Sequence, residues 1–357
     1  VFPLNAFNFC LQEANLTIYD IDYIGSYEKP FLKFSRYIIN HIRSYPFSYG
    51  NFLDNTPKWL EDRLIIPLKV RSDLGYRGET LFIKHHLSHA ASAFLVSPFE
   101  EAAILTVDGI GEWATATLGI GNGNSINILK ELTYPDSIGL LYAIVTTYLG
   151  FNVFEGEGRV MGLSAYGKPI FMDKFKRFVS AKEDGSMRLS PEFLSFNKGT
   201  RMFNERFVKL LGPPRSPGEE INERHCDIAA TLQRLTEELL VSMANNLYVK
   251  TKKKNLCLAG GVFLNCLANS KIMERAPFKE IFIQPAAGDN GGALGVAYYI
   301  YNCLLDRQRN FTMSHLYLGP SFTAGYIKRM LNSRNIAFKE LEDSELVRFT
   351  AERLSEN

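Results

Sequence analysis

The sequence predicts an α/β fold, a mixed sheet covered by helices, and three observations carry that prediction. From residue 101 to 305 the apolar pattern reads strand, strand, strand, helix, strand, helix, strand, helix. Three of the strand ends run into glycine turns, in TVDGIG, LAGG and AAGDNGG. Hydrophobic residues make up 46% of the 357 positions and aromatic residues 13%, enough for a sizeable core, which excludes global disorder.

The elements follow in chain order. Residues 5–14 form an amphipathic pattern and predict a helix, YDIDYI (19–24) predicts a short strand, and 29–43 a helix. Residues 44–79 are rich in aromatic residues, Pro and Asn and predict loops mixed with short elements. A strand over 81–84 leads into a helix carrying HHLSHAASAF. AAILTVDG reads as a buried strand. ATATLGIG alternates, and INILKEL follows the turn signal GNGN, so the three make a β-meander. The longest uncharged stretch, 138–154, contains Gly, Thr, Tyr and Asn and is short for a membrane span, so 138–149 predicts a buried helix. Residues 150–220 form a Gly- and Pro-containing insert too long for a simple connection. The clearest helix covers 223–249, where Ile228, Leu232, Leu235, Leu239, Met243 and Leu247 fall on one stripe. NLCLAGG is a strand ending in a glycine turn, followed by a helix over 262–272, and IFIQPAAGDNGGALGVAYY repeats strand, glycine turn, helix. The more polar end closes with a helix over 343–354.

Forty basic against 38 acidic residues give a net charge of +2, which demands neither a nucleic acid nor an anionic membrane. The run Lys250, Lys252, Lys253, Lys254 lies between helix and strand and reads as a solvated turn. Five cysteines at irregular spacing, with no CxxC, read as reduced thiols; apolar neighbours around Cys257 and Cys266 predict that both are buried. The first residues lack a basic region and a signal-type apolar stretch, so a cytoplasmic protein is expected.

Chemistry concentrates in five places. His85 and His89 are four apart, which on a helix puts both imidazoles on one face within reach of one ion; the competing reading is a pair of satisfied core histidines. His86 stands where a zinc protease HExxH motif needs Glu, which excludes that chemistry. Asp108 ends a buried strand and is followed by Gly109 and Gly111, which suits a metal or phosphate contact as well as a plain turn. Gly260 and Gly261, with Asn265 beyond them, sit at a strand-to-helix switch where a nucleotide can approach the backbone. Asp289 in GDNGG stands at a helix start and reads either as an N-cap or as a ligand. In GEGRVMGLSAYGKP, Glu157 and Arg159 bring opposite charges to a glycine-rich loop, and a guanidinium there suits an oxyanion. GxGxxG and the P-loop pattern are absent, so dinucleotide-binding and P-loop NTPase readings fail.

In this order, HHLSHAASAF, TVDGIGEWATATLG, GEGRVMGLSAYGKP, LAGGVFLNCLANSKI and QPAAGDNGGALGVAYY resemble the NodU/CmcH/TobZ family of O-carbamoyltransferases over nearly the whole chain. The resemblance implies a Kae1/TsaD-like domain of the actin-like ATPase (ASKHA) superfamily, a duplicated sheet-and-helix fold, here with a first lobe lacking its leading strands. It implies an incomplete first lobe over 1–100 and a second lobe over 101–306 with the insert at 150–220. Residues 307–357 then lead toward a YrdC-like domain outside this chain. The implied reaction is formation of carbamoyl-adenylate from carbamoyl phosphate and ATP at that YrdC-like domain, then transfer of the carbamoyl group to a hydroxyl of a small acceptor such as a sugar or antibiotic. Carried over residue by residue, His85, His89, Asp108 and Asp289 match the metal ligands, with Fe²⁺ the family's usual ion; the mixed N/O set also suits Mn²⁺ or Zn²⁺. Gly260, Gly261 and Asn265 match the nucleotide-binding turn, for ATP with Mg²⁺, and Gly109 and Gly111 the phosphate-facing loop. Glu157 and Arg159 are the candidate catalytic residues on the reading of their own loop, and Arg159 stands where the family commonly has Lys. A tRNA threonylcarbamoyl transferase and a non-catalytic ATP-binding module of the same superfamily are the competing readings.

Overall fold

A computed structural model of the chain describes residues 3–195 and 201–356. The chain forms two bodies, one running to Ser314 and one starting at His315.

The larger body opens with α1 (Leu4–Glu13). The strand expected over 19–24 is displaced: Ile18–Asp20 is a 3₁₀ turn, and β1 is Tyr23–Ser26. Thr17 explains the shift. Its N–H and its hydroxyl both donate to the Asp20 carboxylate, at 2.8 and 2.6 Å, which favours a capped turn over extended chain. Then come α2 (Pro30–Arg43), started by a proline at its first position, and two helices within the loop-rich stretch, α3 (Tyr49–Lys58) and α4 (Ile66–Leu74). β2 (Glu79–Phe82) pairs parallel with β1, Tyr23 opposite Glu79. α5 (His85–Phe94) carries the histidine cluster.

The main sheet has the order β5–β4–β3–β8–β9. β3 (Glu101–Val107), β4 (Ala114–Asn122) and β5 (Ser125–Thr133) form the expected antiparallel meander. β8 (Asn255–Ala259) and β9 (Glu280–Ile283) join parallel to β3. The mixed sheet read from the sequence is therefore present. Between its halves lie α6 (Ile138–Tyr148), α7 (Glu157–Leu163), α8 (Met172–Phe175), the hairpin β6 (Val179–Ala181) and β7 (Met187–Leu189), α9 (Glu205–Leu211) and α10 (Glu223–Thr251). The helix expected over 262–272 is split into a 3₁₀ turn, Gly261–Leu264, and α11 (Cys266–Arg275), because Asn265 leaves helical geometry to cap the second piece. α12 (Asn290–Tyr298) completes the third strand–turn–helix unit.

Strand alternation builds three layers. Ala103, Leu105 and Val107 of β3 and Leu256 and Leu258 of β8 pack in the core shared with α6 and α10. Ala102 and Ile104 of β3 and Cys257 and Ala259 of β8 face the other way, into the cluster with Ala90, Ala91, Ala93 and Phe94 of α5. The insert joins the first core through Phe175, Phe178, Phe203 and Phe207, the last two in edge contact with Tyr148. Of the two cysteines expected to be buried, Cys257 is; Cys266 is exposed at the first position of α11, where the neighbouring turn gives it no cover. All five thiols are free. Among the described residues no helix is long and apolar enough to cross a membrane. The smaller body holds α13 (Ala324–Ser333), capped by the Thr323 hydroxyl, and α14 (Asp343–Ser355); only the second was expected.

Candidate metal and nucleotide centre

His85 and His89 lie in α5 one turn apart and are each 1% exposed. Their Nε2 atoms are 3.1 Å from one another. Asp108 follows β3, whose end points at the start of α5, and its Oδ2 lies 3.1 Å from His85 Nε2. Asp289 stands at the N-cap position of α12 but makes no capping bond. Its Oδ1 turns to the imidazoles instead, 3.5 Å from His85 Nε2 and 3.7 Å from His89 Nε2. The bland reading of Asp289 as an N-cap is thereby removed. The third histidine behaves otherwise, as its helical phase predicts. His86 donates from Nε2 to the Ala114 carbonyl (3.0 Å), and its Nδ1 pairs with the Thr106 hydroxyl (2.7 Å), pinning α5 to the sheet.

The four facing groups each offer one atom within 4.8 Å of all the others. An ion with bonds of ~2.1 Å to N and O places neighbouring ligand atoms about 3–3.5 Å apart. The distances from His85 Nε2 to His89, Asp108 and Asp289, 3.1, 3.1 and 3.5 Å, match that spacing, and the group as a whole, within 4.8 Å, is slightly wider than one ion would hold it. Electrostatics agree. Burial alone would raise the Asp108 carboxyl, but the hydrogen bond from His85 and the charges of His89 and His85 hold it far below the ordinary carboxylate range. Burial opposes charge on His85, yet Asp108 and then Asp289 draw its pKa above normal. Asp289 is lowered, first by pairing with His89. His86 is pushed down to about 3 by burial and by its two histidine neighbours, so it stays neutral. Carboxylates drawn to the charged state and convergent imidazole nitrogens are what a cation meets.

The glycines serve this geometry in distinct ways. Gly260 has φ +103°, and a Cβ there would lie 2.2 Å from the Val107 carbonyl oxygen. Gly261 donates its N–H to Asp108 Oδ1 at 2.9 Å, so the turn after β8 orients the carboxylate after β3. Gly111 spends its N–H on the Ala114 carbonyl, and a Cβ on it would touch the His85 side chain at 3.0 Å. Gly109 has open space above it. Ser137 caps α6 and donates to the Gly109 carbonyl at 2.7 Å, which sets the positive end of that helix against the Asp108–Gly109 backbone.

Asn265 is 9% exposed. Its side chain caps α11 and exchanges two hydrogen bonds with Gln233, at 2.8 and 3.0 Å. Glu157 and Arg159 open α7 and diverge. The charge of Glu157 helps raise the Tyr142 phenol, behind burial as the main cause, and Tyr142 donates to Gln233. Arg159 lines an open cavity of about 240 Å³ with Phe151, Asn152, Glu155 and Arg215. Among the described residues, no hydrogen bond or ion pair joins Glu157 or Arg159 to the four converging side chains.

Two residues at the centre carried no assignment from sequence. Tyr27 stacks obliquely on His85, ring centres 5.7 Å apart. Glu112, 5% exposed, accepts from the His85 N–H. A lone Glu after DGIG announces nothing, because its partner is a main-chain amide 27 positions away.

A family model described as carbamoyltransferase N-terminus matches residues 2–298. The chain belongs to that family. It is 40% identical over 344 residues to an uncharacterised protein of Synechocystis sp., covering 92% of this chain and 56% of that one. It is 32% identical over 322 residues to nodulation protein NolNO of Sinorhizobium fredii, covering 89% of this chain and 44% of the relative. The chain thus spans about half the length of these relatives. A solved full-length HypF in its phosphate- and nucleotide-bound form overlaps 66% of this chain and 45% of its own, at 18% identity and a TM-score of 0.36.

Proposed function

We propose that this carbamoyltransferase-family chain holds the transfer centre of an ATP- and metal-dependent O-carbamoyltransferase. The observation that carries the reading is the convergence of His85, His89, Asp108 and Asp289 beside two glycine turns. The fold is read as Kae1-like and actin-like. Its support is the five-stranded mixed sheet with glycine turns at the ends of β3 and β8, and the β1–β2 pair packed on α12 through Gly25. Residues 1–100 and 101–306 are the two lobes in this reading, and 307–357 lead toward a YrdC-like domain in which carbamoyl phosphate and ATP become carbamoyl-adenylate.

A divalent ion, Fe²⁺ by family analogy, supplies positive charge against phosphate oxygens when bound. The protein's own groups do the rest. In this reading Gly109 and the start of α6 face the nucleotide phosphates, while the Gly260–Gly261 turn holds the Asp108 carboxylate in place. Tyr27 and Gly111 hold the His85 ring in place. An acceptor hydroxyl attacks the carbamoyl carbon, the new C–O bond forms as the anhydride C–O bond breaks, and AMP leaves with the hydroxyl proton on its phosphate. Glu157 and Arg159 are read as catalytic contacts to the substrate, and the cavity that Arg159 lines supports that reading for Arg159. Acceptors are small hydroxyl compounds, and the protein works in the cytoplasm.

The test is metal analysis of the purified protein together with a mass assay of candidate acceptors incubated with ATP and carbamoyl phosphate. One equivalent of transition metal, lost in His85→Ala with His89→Ala, and a mass gain on the acceptor equal to one carbamoyl group replacing the hydroxyl hydrogen are expected. Wild-type protein without stoichiometric metal would sink the reading.

A further inference from the structure

We infer that Glu112 is a positioning residue that sets the affinity of the His85–His89–Asp108–Asp289 centre for a divalent cation. This rests on the metal reading above, and the measurements below separate the two.

The start of α5 lacks a cap of its own: Lys84, at the N-cap position, makes no side-chain capping bond. Glu112 caps it from outside. Its Oε1 and Oε2 lie 3.0 and 3.2 Å from the His85 N, and its Oε1 also accepts the Lys29 N–H at 2.8 Å. A carboxylate on the amide of a helix's first residue meets both the unpaired donor and the positive end of the helix. Arg36 fastens the backbone beneath it, donating from Nε to the Glu112 carbonyl at 2.5 Å and more weakly to that of Gly111.

Three segments therefore meet on one side chain. The loop after β3 contributes Asp108 and Glu112, α5 contributes both histidines, and the β1–α2 connection contributes Lys29 and Tyr27. The His85 ring is confined between Gly111 on one side and Tyr27 on the other, and Glu112 ties both of those segments to the backbone of His85 itself. Ligand atoms must hold position within about 0.5 Å for a site to work, and second-contact residues around metal ligands typically change affinity 10- to 100-fold.

The other end of α5 provides the contrast. Arg309 donates to the carbonyls of Phe94, Leu95, Ser97 and Phe99 and stacks on Phe94. It secures the same helix, but about 15 Å from His85 at 1.5 Å per residue. If holding α5 anywhere were enough, loss of either charge would act alike.

The experiment measures Zn²⁺ and Co²⁺ affinity of the whole chain by chelator competition, alongside the Tm of the metal-free proteins. Glu112→Gln retains length and one acceptor oxygen; Glu112→Ala retains neither; Arg309→Gln is the comparison. Expected are a loss of roughly 10-fold for Glu112→Gln and up to about 100-fold for Glu112→Ala, with wild-type affinity in Arg309→Gln despite a lower Tm. Saturated with Co²⁺, Glu112→Gln also shows altered visible absorption, which a merely structural role would not move. The inference is overturned if Glu112→Gln binds metal as tightly as wild type with an unchanged Co²⁺ spectrum. It is equally overturned if affinity tracks Tm across all three variants. Wild-type protein that binds neither ion instead overturns the metal reading, and this inference with it.

Discussion

At the residue scale, the two glycines after β8 look alike in sequence and have different tasks. Gly260 adopts a backbone that side chains avoid, and a methyl group on it would collide with the Val107 carbonyl. Gly260→Ala should destabilise the fold by about 2 kcal/mol or more, read as a lowered denaturation midpoint with unchanged slope. A methyl group on Gly261 meets only Asp108 Oδ1, at 2.8 Å, the far end of a side chain. Gly261→Ala should leave the midpoint almost unmoved and weaken metal binding by displacing Asp108; a large loss of stability would refute that division of labour. Sequence alone supplied the pair but not the division, since φ and the approach of β3 are tertiary facts. The same holds for Asp289. Its place at a helix start made capping the ordinary reading, and only the packing of α12 beside α5 turns its carboxylate to the imidazoles.

At the scale of elements, α5 and α12 are the pair that brings His85, His89 and Asp289 together. A Cβ on Gly295 would stand 1.9 Å from the Ser88 carbonyl oxygen and 2.9 Å from the Ser92 N, so the two backbones touch there. Gly295→Ala should force the helices apart, costing about 1–3 kcal/mol as overpacking does and loosening Asp289 from His85 and His89. Reduced metal affinity together with reduced stability is the expected outcome, and a variant with both unchanged would show that the contact is slack. The period of hydrophobicity made these elements readable. β3 reads as a nearly continuous apolar run because both of its faces are buried, whereas the apolar stripe of α10 understates its burial, since α7 and α11 cover it beyond the side that meets the sheet. Where local polar bonds compete, reading failed: Thr17 and Asp20 turned an alternating run into a 3₁₀ turn, and Asn265 broke one expected helix in two. Glu112 was illegible for a third reason, because its function lies in main-chain amides brought to it by the fold.

At the scale of the whole molecule, a metal bound at the proposed centre would couple folding to the ion and to pH. The ligands come from α5, the end of β3 and the start of α12, which meet only in the folded body. An ion that binds the folded state alone stabilises it by about 4 kcal/mol at a thousandfold excess over Kd, a rise in Tm on the order of 5 °C for a chain of this size. Protons set the sign of the pH dependence. In the metal-free protein His85 has a raised pKa, so its charged pairing with Asp108 stabilises the fold fully below the unfolded value of 6.5 and is lost as pH rises through the raised one. Asp108 and Asp289 are lowered, so their contribution is present above about pH 4 and lost as pH falls. His86, held neutral down to about 3, opposes His85: stability from this group falls as pH drops below 6.5. Whether or not the ion is bound, His86 faces Thr106 and Ala114 rather than the centre, so its effect cancels when the two states are compared. What remains is competition at His85, where the ion needs the lone pair that the proton occupies. The difference in Tm between metal-loaded and chelator-treated protein should therefore be small near pH 5.5 and widen steadily to pH 8. Thermal melts at matched ionic strength measure it directly, and a difference that stays flat or narrows with rising pH would show that His85 is not where metal and proton compete.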